Sequence, residues 1–182
     1  MLGYIGGEPV SDRRTRQIVS RWEALGLAER RTIWHGKPAA LWLTGGGASL
    51  VGIDRWRKPA VGTLTHTLAV SAVRMRLAPP GSRRGWLSET ELRKRQPKGE
   101  HVADGAYAED GRWCAIEVEL SPHGQKRVAA AIASLLAARN GDRPRWHQVL
   151  YLCGSTTLTQ VKAVVDALPP EQKRRVVVRR LP

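Results

Sequence analysis

Three carboxylates in the stretch HVADGAYAEDGRWCAIEVELS (residues 101–121) have the types and the spacing of a metal-binding or catalytic site. The stretch predicts two β-strands joined by a tight turn at residues 110–111, because Asp-Gly is a preferred two-residue hairpin loop. Alternate residues of a strand share one face, so Glu117 and Glu119 point the same way. If the hairpin pairs so that Asp104 lies on the side of Glu117, the three carboxylates converge.

Carboxylates that converge repel one another unless a cation neutralises them. Mg²⁺ takes oxygen ligands from carboxylates and water, and a bound Mg²⁺ activates water and polarises a phosphoryl oxygen. The pattern therefore predicts a Mg²⁺ or Mn²⁺ site held by Asp104, Glu117 and Glu119. The alternative on pattern alone is that the two glutamates line a solvated strand face.

The charge of the whole chain indicates what such a site would act on. The chain carries 30 Lys and Arg against 16 Asp and Glu, a formal net charge of +14, and 23 of the basic residues are arginine. Residues 1–60 and 121–182 are strongly basic, whereas residues 61–120 are nearly balanced. Arginine binds phosphate through a flat, bidentate fork, so the composition favours a DNA partner. The alternative is surface charge encoded by a GC-rich genome.

The first basic segment predicts a DNA-binding helix. Residues 11–25 form the helix, Ser11 or Asp12 caps its start, and Gly26 ends it. Ile18, Trp22 and Leu25 recur at helical spacing and predict an apolar face. The residues predicted to contact DNA lie on this helix and on the segment that follows it: Arg13, Arg14, Arg16, Gln17, Arg21, Arg31 and Lys37.

The segment after the helix, LAERRTIWHGKPAALWLT, predicts two strands around a turn at residues 35–38. A helix followed by a hairpin is the second half of a winged helix-turn-helix, in which the helix enters the major groove and the wing touches the backbone. Residues 1–60 are therefore predicted to be a truncated winged-helix region. The alternative is an amphipathic helix packed on a hairpin.

Residues 61–182 predict an α/β domain with a mixed sheet. A helix at 65–78, with an apolar stripe of Leu68, Ala72 and Met75, precedes three strands. A further helix is predicted to open at the Ser121-Pro122 pair and to bury Val128, Ile132 and Leu135. The apolar run at 147–155 is typical of a strand buried on both faces, and a helix and a last strand follow it.

The ordered motifs carry a family resemblance. The segment HVADG, the turn and AIEVELS before a basic helix resemble the core of the PD-(D/E)XK nuclease-like superfamily. The phrases SRWEALGLAERR, LWLTGGGASLVG, THTLAVSAVR and VLYLCGS resemble the actinobacterial replication-relaxation family, which is tied to plasmid replication. The resemblance implies a restriction-endonuclease-like three-layer α/β core behind a partial winged helix.

The resemblance also implies roles for individual residues. Asp104 would be the motif aspartate, Glu117 the second acidic residue and Glu119 would stand where the family has its lysine. Lys126, on the following helix, could supply the positive charge that Glu119 cannot. A further acidic residue would come from Glu89 or Glu91.

Three functions stay open on the sequence. They are a DNA-binding replication protein with a core that does not cleave, a Mg²⁺-dependent endonuclease or nickase, and a winged-helix transcription regulator whose core forms a homodimer. Residues 44–52 are glycine-rich but lack the Lys-Ser/Thr of a P-loop, and no nucleophilic triad or relaxase-type tyrosine site is evident. The sequence shows no apolar run long enough for a membrane span and no leader pattern, so the cytoplasm is expected.

Overall fold

The computed structural model describes residues 3–5, 8–33, 39–78, 85–97 and 99–181. It divides into two compact units, Met1–Leu68 and Ala69–Pro182, with the division inside a helix. The sequence placed the boundary at residues 60 and 61. Within the described residues, no helix is both long enough and apolar enough to cross a membrane.

The first unit contains short elements, and its two antiparallel pairs are β1 with β2 and β3 with β4. Its strands and helices are β1 Gly3–Ile5, β2 Glu8–Val10, α1 Asp12–Ala24, β3 Ala28–Arg31, β4 Ala40–Leu43, α2 Gly45–Leu50 and the start of α3 Val61–Leu77. The predicted helix and hairpin are thus confirmed as α1, β3 and β4. The predicted turn at 35–38 lies outside the described residues.

Helix α1 begins and ends where the sequence predicted. The Ser11 side chain accepts a hydrogen bond from the Arg14 backbone N–H, and Gly26 adopts a φ of +67° after the last turn. The predicted apolar face of α1 is partly open to solvent, since Trp22 is 41% exposed and Leu25 is 61% exposed. Helix α1 packs against β3.

The glycine-rich segment forms a helix as well as a turn. Thr44 caps α2 by accepting a hydrogen bond from the Gly47 N–H at 3.1 Å, and its hydroxyl donates to the Gly26 carbonyl at 2.6 Å. A Cβ at Gly47 would overlap the Leu27 carbonyl oxygen. The glycine therefore lets α2 pass close to the chain that leads into β3.

The second unit is built on a mixed sheet of strand order β11-β10-β7-β6-β5. Strand β10 runs parallel to β7 and β11, whereas β5, β6 and β7 are antiparallel neighbours. Besides the end of α3, its elements are β5 Trp86–Ser88, α4 Glu89–Arg95, β6 Gly105–Glu109, β7 Arg112–Glu119, α5 Gln125–Ala137, β8 Arg139–Asn140, β9 Arg143–Pro144, β10 Gln148–Cys153, α6 Leu158–Asp166, α7 Pro170–Lys173 and β11 Val176–Arg180.

Each face of this sheet has its own apolar cluster. One cluster joins Ala115 and Val149 of the sheet to helix residues, among them the predicted core residues Val128, Ile132 and Leu135. The other cluster joins Ile116, Val118, Leu150 and Leu152 to Val73 of α3. Helices therefore cover both faces, and the predicted α/β class with a mixed sheet is confirmed.

Two local predictions are wrong. The buried stripe of α3 runs through Ala69, Val70, Val73 and Leu77, whereas Met75 is 37% exposed, because the sheet contacts the adjacent helix face. Helix α5 is capped by Gly124 and not by the 121–122 pair. A loop that includes the Ser121-Pro122 pair lies between β7 and Gly124, so the helix begins three residues later than predicted.

Candidate functional site

The candidate site lies at the carboxyl end of the parallel strands. Glu117 and Glu119 occupy the end of β7, and Cys153 ends the neighbouring parallel strand β10. Asp104 immediately precedes β6, which runs in the opposite direction. Ligands of open α/β sheets bind at this edge, because the loops that follow parallel strands leave a crevice there.

The strand register brings Asp104 to Glu117. Gly105 of β6 pairs with Ile116 of β7. Asp104, the residue before β6, therefore stands opposite Glu117 and shares its sheet face. The Asp104 carboxylate accepts a hydrogen bond from the Val118 backbone N–H at 2.8 Å. Its negative charge raises the pKa of Glu117, which shows that the two carboxylates sense each other.

Glu117 is the most enclosed of the three carboxylates, with a side chain that is 12% exposed. Burial raises its pKa to about 7, and the charges of Asp104 and Glu119 act in the same direction. His101 Nε2 lies 3.0 Å from Glu117 Oε1, and this hydrogen bond partly offsets the shift. The same hydrogen bond raises the pKa of His101, so the pair holds a proton near neutral pH.

Glu119 also lies next to a histidine, which is a different one from the partner of Glu117. His123 Nε2 lies 3.6 Å from Glu119 Oε1, and the side chain of Glu119 is 16% exposed. Burial raises the pKa of Glu119, while the charge of His123, the Ser121 backbone N–H and the charge of Arg127 lower it. Each of the two glutamates on this face of β7 therefore has an imidazole nitrogen close to its carboxylate, at 3.0 Å for Glu117 and 3.6 Å for Glu119.

Two buried side chains of β10 lie on the strand next to the two glutamates. Tyr151 pairs in register with Glu117, and Cys153 pairs with Glu119. The Tyr151 hydroxyl is buried and has no hydrogen-bond partner among the described residues. Burial and the three carboxylate charges raise the pKa of Tyr151 above its usual range, and burial raises the pKa of Cys153 to about 11. Both groups stay protonated at neutral pH.

The other acidic candidates have structural roles. Glu89 pairs with Arg93 on α4, and Glu91 closes a capping box with Ser88 at the start of that helix. Lys126 is exposed on the first turn of α5. Its neighbour Arg127 supplies a charge that lowers the pKa of both His101 and Glu119.

Sequence reasoning missed the histidines and the tyrosine. The spacing of His123 four residues after Glu119 was a usable signal, although the residues between them form a loop. Tyr151 carried no such signal because its approach to Glu117 depends on the register of β7 and β10, and His101 carried none because it lies in the loop before β6.

The predicted DNA-binding residues lie in the first unit. Five of them are exposed on α1, and they are Arg13, Arg14, Arg16, Gln17 and Arg21. Arg31 is exposed at the end of β3. Lys37 lies outside the described residues. In the same unit Arg30 pairs with Glu23 at 3.1 Å, and Lys58 pairs with Glu29 at 2.9 Å.

The carboxylates of the site can be compared with the oxygen ligands that Mg²⁺ requires. Within the part of the chain that the structure describes, no group of three or more His, Cys, Asp or Glu side chains is placed to hold a metal ion. Mg²⁺ often uses one or two carboxylates and completes its shell with water. Asp104 and Glu117, whose repulsion a cation would relieve, fit that smaller donor set, and the predicted participation of Glu119 stays a prediction.

No family model matches the chain, and searches of curated proteins and of solved structures also gave no match. The resemblance to the replication-relaxation family and to the nuclease-like superfamily therefore stays a prediction.

Proposed function

We propose that this protein binds DNA and acts in plasmid or mobile-element replication, with a nuclease-like core that does not cleave. The observation that carries the DNA-binding part is the α1 basic surface, defined by the exposed side chains of Arg13, Arg14, Arg16, Gln17 and Arg21. The replication role depends on the family resemblance.

The α1 basic surface is suited to a major groove. A thirteen-residue helix follows Ser11, and Asp12 is the one acidic residue of its first turn. The β3–β4 hairpin packs against this helix, as the wing does in a winged helix-turn-helix. Four arginines on one short helix provide both phosphate contacts and bidentate contacts to guanine.

The element order of the second unit supports the nuclease-like part of the proposal. Helix α3, the antiparallel strands β5 to β7, helix α5 and the parallel strand β10 form a sheet that helices cover on both faces, which agrees with the three-layer α/β core that the resemblance implies. The acidic residues stand on the β6–β7 hairpin in the middle of that order.

The absence of cleavage is inferred from the charges around Glu117. Glu119 occupies the position where the resemblance implies a lysine, and Lys126 is exposed to solvent. The cation that reaches Glu117 is the imidazole of His101, which is hydrogen-bonded to that carboxylate. This arrangement holds a proton between Glu117 and a half-buried imidazole and does not present a lysine to a phosphate.

A Mg²⁺-dependent endonuclease is the second candidate, favoured by the approach of Asp104 to Glu117 at the carboxyl edge of the sheet. A bound Mg²⁺ would supply an activated water and polarise the scissile phosphate. Glu117, with a pKa of about 7, is suited to accept a proton from that water near neutral pH.

A plasmid-nicking assay with Mn²⁺ separates the two candidates. Wild type, Glu117→Ala and the exposed control Glu171→Ala are incubated with supercoiled DNA, and binding of the same DNA is measured in parallel. The proposal predicts DNA binding by all three proteins and no nicking above background. Nicking by wild type and Glu171→Ala that is lost in Glu117→Ala would select the endonuclease.

A further inference from the structure

An arginine- and tryptophan-lined cleft lies at the opposite end of the sheet from the acidic site. Its larger part has a volume of about 560 Å³ and is lined by the turn after β6, the β8–β9 hairpin and the residues that precede β10 and β11. Arg112 and Glu117 are five residues apart on β7, which is about 16 Å at the usual strand rise. The cleft is therefore separate from the acidic site.

The larger part of the cleft is cationic. Arg112, Arg143, Arg145 and Arg175 line it, and the described lining residues include no carboxylate. Arg145 is weakly paired with Glu100 at 3.7 Å, and Arg175 donates to the Trp146 carbonyl at 2.9 Å. Arg112 and Arg143 are exposed, so their guanidinium groups are available to a dianion such as phosphate.

A smaller part of the cleft, about 300 Å³, is lined by four apolar or aromatic side chains and by four polar ones, which are Arg95, Gln96, Asn140 and Arg145. It shares Trp113, Asn140, Arg145 and Trp146 with the larger part, so the two parts form one cleft. Leu87 and Leu92 complete its apolar wall. A planar, apolar-faced group would fit beside these indoles, because aromatic rings favour stacking.

The backbone holds the cleft in place. The Arg145 N–H donates to the Ala138 carbonyl at 2.9 Å, and the His147 N–H donates to the Trp113 carbonyl at 2.8 Å. These hydrogen bonds tie the wall of the cleft to the end of α5 and to the start of β7. The arginines are therefore presented by a fixed frame.

We infer that this cleft binds a nucleotide, with its phosphate among the arginines and its base in the smaller part against Trp113. This inference assigns a second site and does not depend on cleavage at the acidic site or on DNA binding by α1. The nucleotide is either free or the terminal unit of a strand, since both present the same chemistry.

The test is calorimetric titration of the full chain with AMP, adenosine and inorganic phosphate. AMP is expected to bind, and adenosine and phosphate to bind at least about tenfold more weakly, because each lacks half of the recognised groups. Arg143→Ala should weaken AMP binding by about tenfold, whereas Arg180→Ala, an exposed arginine at the far end of β11, should leave it unchanged. Trp113→Leu, which removes the indole but keeps an apolar side chain, should weaken AMP and leave phosphate unaffected.

Several results would overturn the inference: no AMP binding at millimolar concentration, equal affinity for AMP and phosphate, or equal losses in Arg143→Ala and Arg180→Ala. A 5′-phosphorylated oligonucleotide that competes with AMP would assign a strand end as the source, and an oligonucleotide that fails to compete would assign a free nucleotide. Arg14→Ala, on α1, should leave AMP binding intact, so failure of this inference is distinguishable from failure of the proposed function.

Discussion

Glu117 and Tyr151 are register partners on the parallel strands β7 and β10, in a part of the sheet that is almost closed to solvent. The pKa of the carboxyl is raised to about 7, and the phenol has no hydrogen-bond partner among the described residues. A core selected for stability alone would fill these positions with apolar side chains. The pair therefore lowers the stability of the fold, which indicates a role in chemistry or binding.

The first prediction concerns the pH dependence of stability. The pKa of Glu117 rises from 4.5 in the unfolded chain to about 7 in the fold, so the native state retains a proton that the unfolded state releases. The resulting stability is fully present below about pH 4.5 and is lost as the pH rises through about 7. His101, whose pKa is also raised, acts in the same direction above its usual 6.5.

Urea unfolding at pH 5 and pH 8 tests this prediction. Glu117→Gln, which mimics the protonated carboxyl, should be less sensitive to pH and more stable than wild type at pH 8 by about 2 kcal/mol. The exposed control Glu171→Gln should follow the wild-type profile. If Glu117→Gln kept the full wild-type pH dependence, the assignment of the titration to Glu117 would be wrong.

The second prediction concerns the partner of that carboxylate. His101→Ala should raise the pKa of Glu117 further, because the hydrogen bond and charge of His101 are what lower it. A carbon-detected NMR titration of the glutamate side chains measures the shift directly. His147→Ala, an exposed histidine of the same unit, is the control and should have no effect. An unchanged or lowered pKa in His101→Ala would contradict the pairing.

The third prediction concerns metal binding. Mn²⁺ or Mg²⁺ should bind wild type and bind Asp104→Asn at least about tenfold more weakly, because one of two carboxylate ligands is lost. Calorimetric titration with Mn²⁺ measures the difference, and the exposed Asp142→Asn serves as the control. Equal affinity of wild type and Asp104→Asn would remove the proposed metal site.

The fourth prediction concerns the glycines of α2. Gly47→Ala should destabilise the first unit, since the new methyl group would overlap the Leu27 carbonyl oxygen. Gly46→Ala is the matched control: its nearest atom would be Thr44 Oγ1 at 3.7 Å, and alanine favours a helix over glycine by about 1 kcal/mol. Thermal unfolding should therefore separate the two variants, and equal melting temperatures would show that the close approach does not matter.

Local patterns in the sequence were sufficient for much of the fold. The apolar run of β10 identified an interior strand of the sheet, because a strand buried on both faces needs no polar alternation. The Asp110-Gly111 turn was predictable because both residues adopt positive φ, +51° and +73°, as a two-residue hairpin loop requires. That turn then fixed the register that brings Asp104 beside Glu117.

The rest of the site depended on contacts that no local pattern specifies. His101 lies in the loop before β6, and its approach to Glu117 follows from how that loop passes over the sheet. The start of α5 was misplaced because the loop after β7 continues through Ser121 and Pro122 to Gly124, which is the N-cap and makes no side-chain hydrogen bond. The exposure of Trp22 and Leu25 could not be predicted, since helical spacing shows that an apolar face exists but not what covers it.

The central claim is that the α1 basic surface binds DNA, and the most direct measurement is fluorescence anisotropy with duplex DNA over a range of salt concentrations. Affinity should fall steeply with salt, and Arg14→Ala and Arg21→Ala should each reduce the slope of log K against log salt by about 1 because one phosphate contact is lost. Arg57→Ala, an exposed arginine of the same unit outside α1, should keep the wild-type slope. A flat salt dependence in wild type, or equal slopes in all four proteins, would contradict the claim.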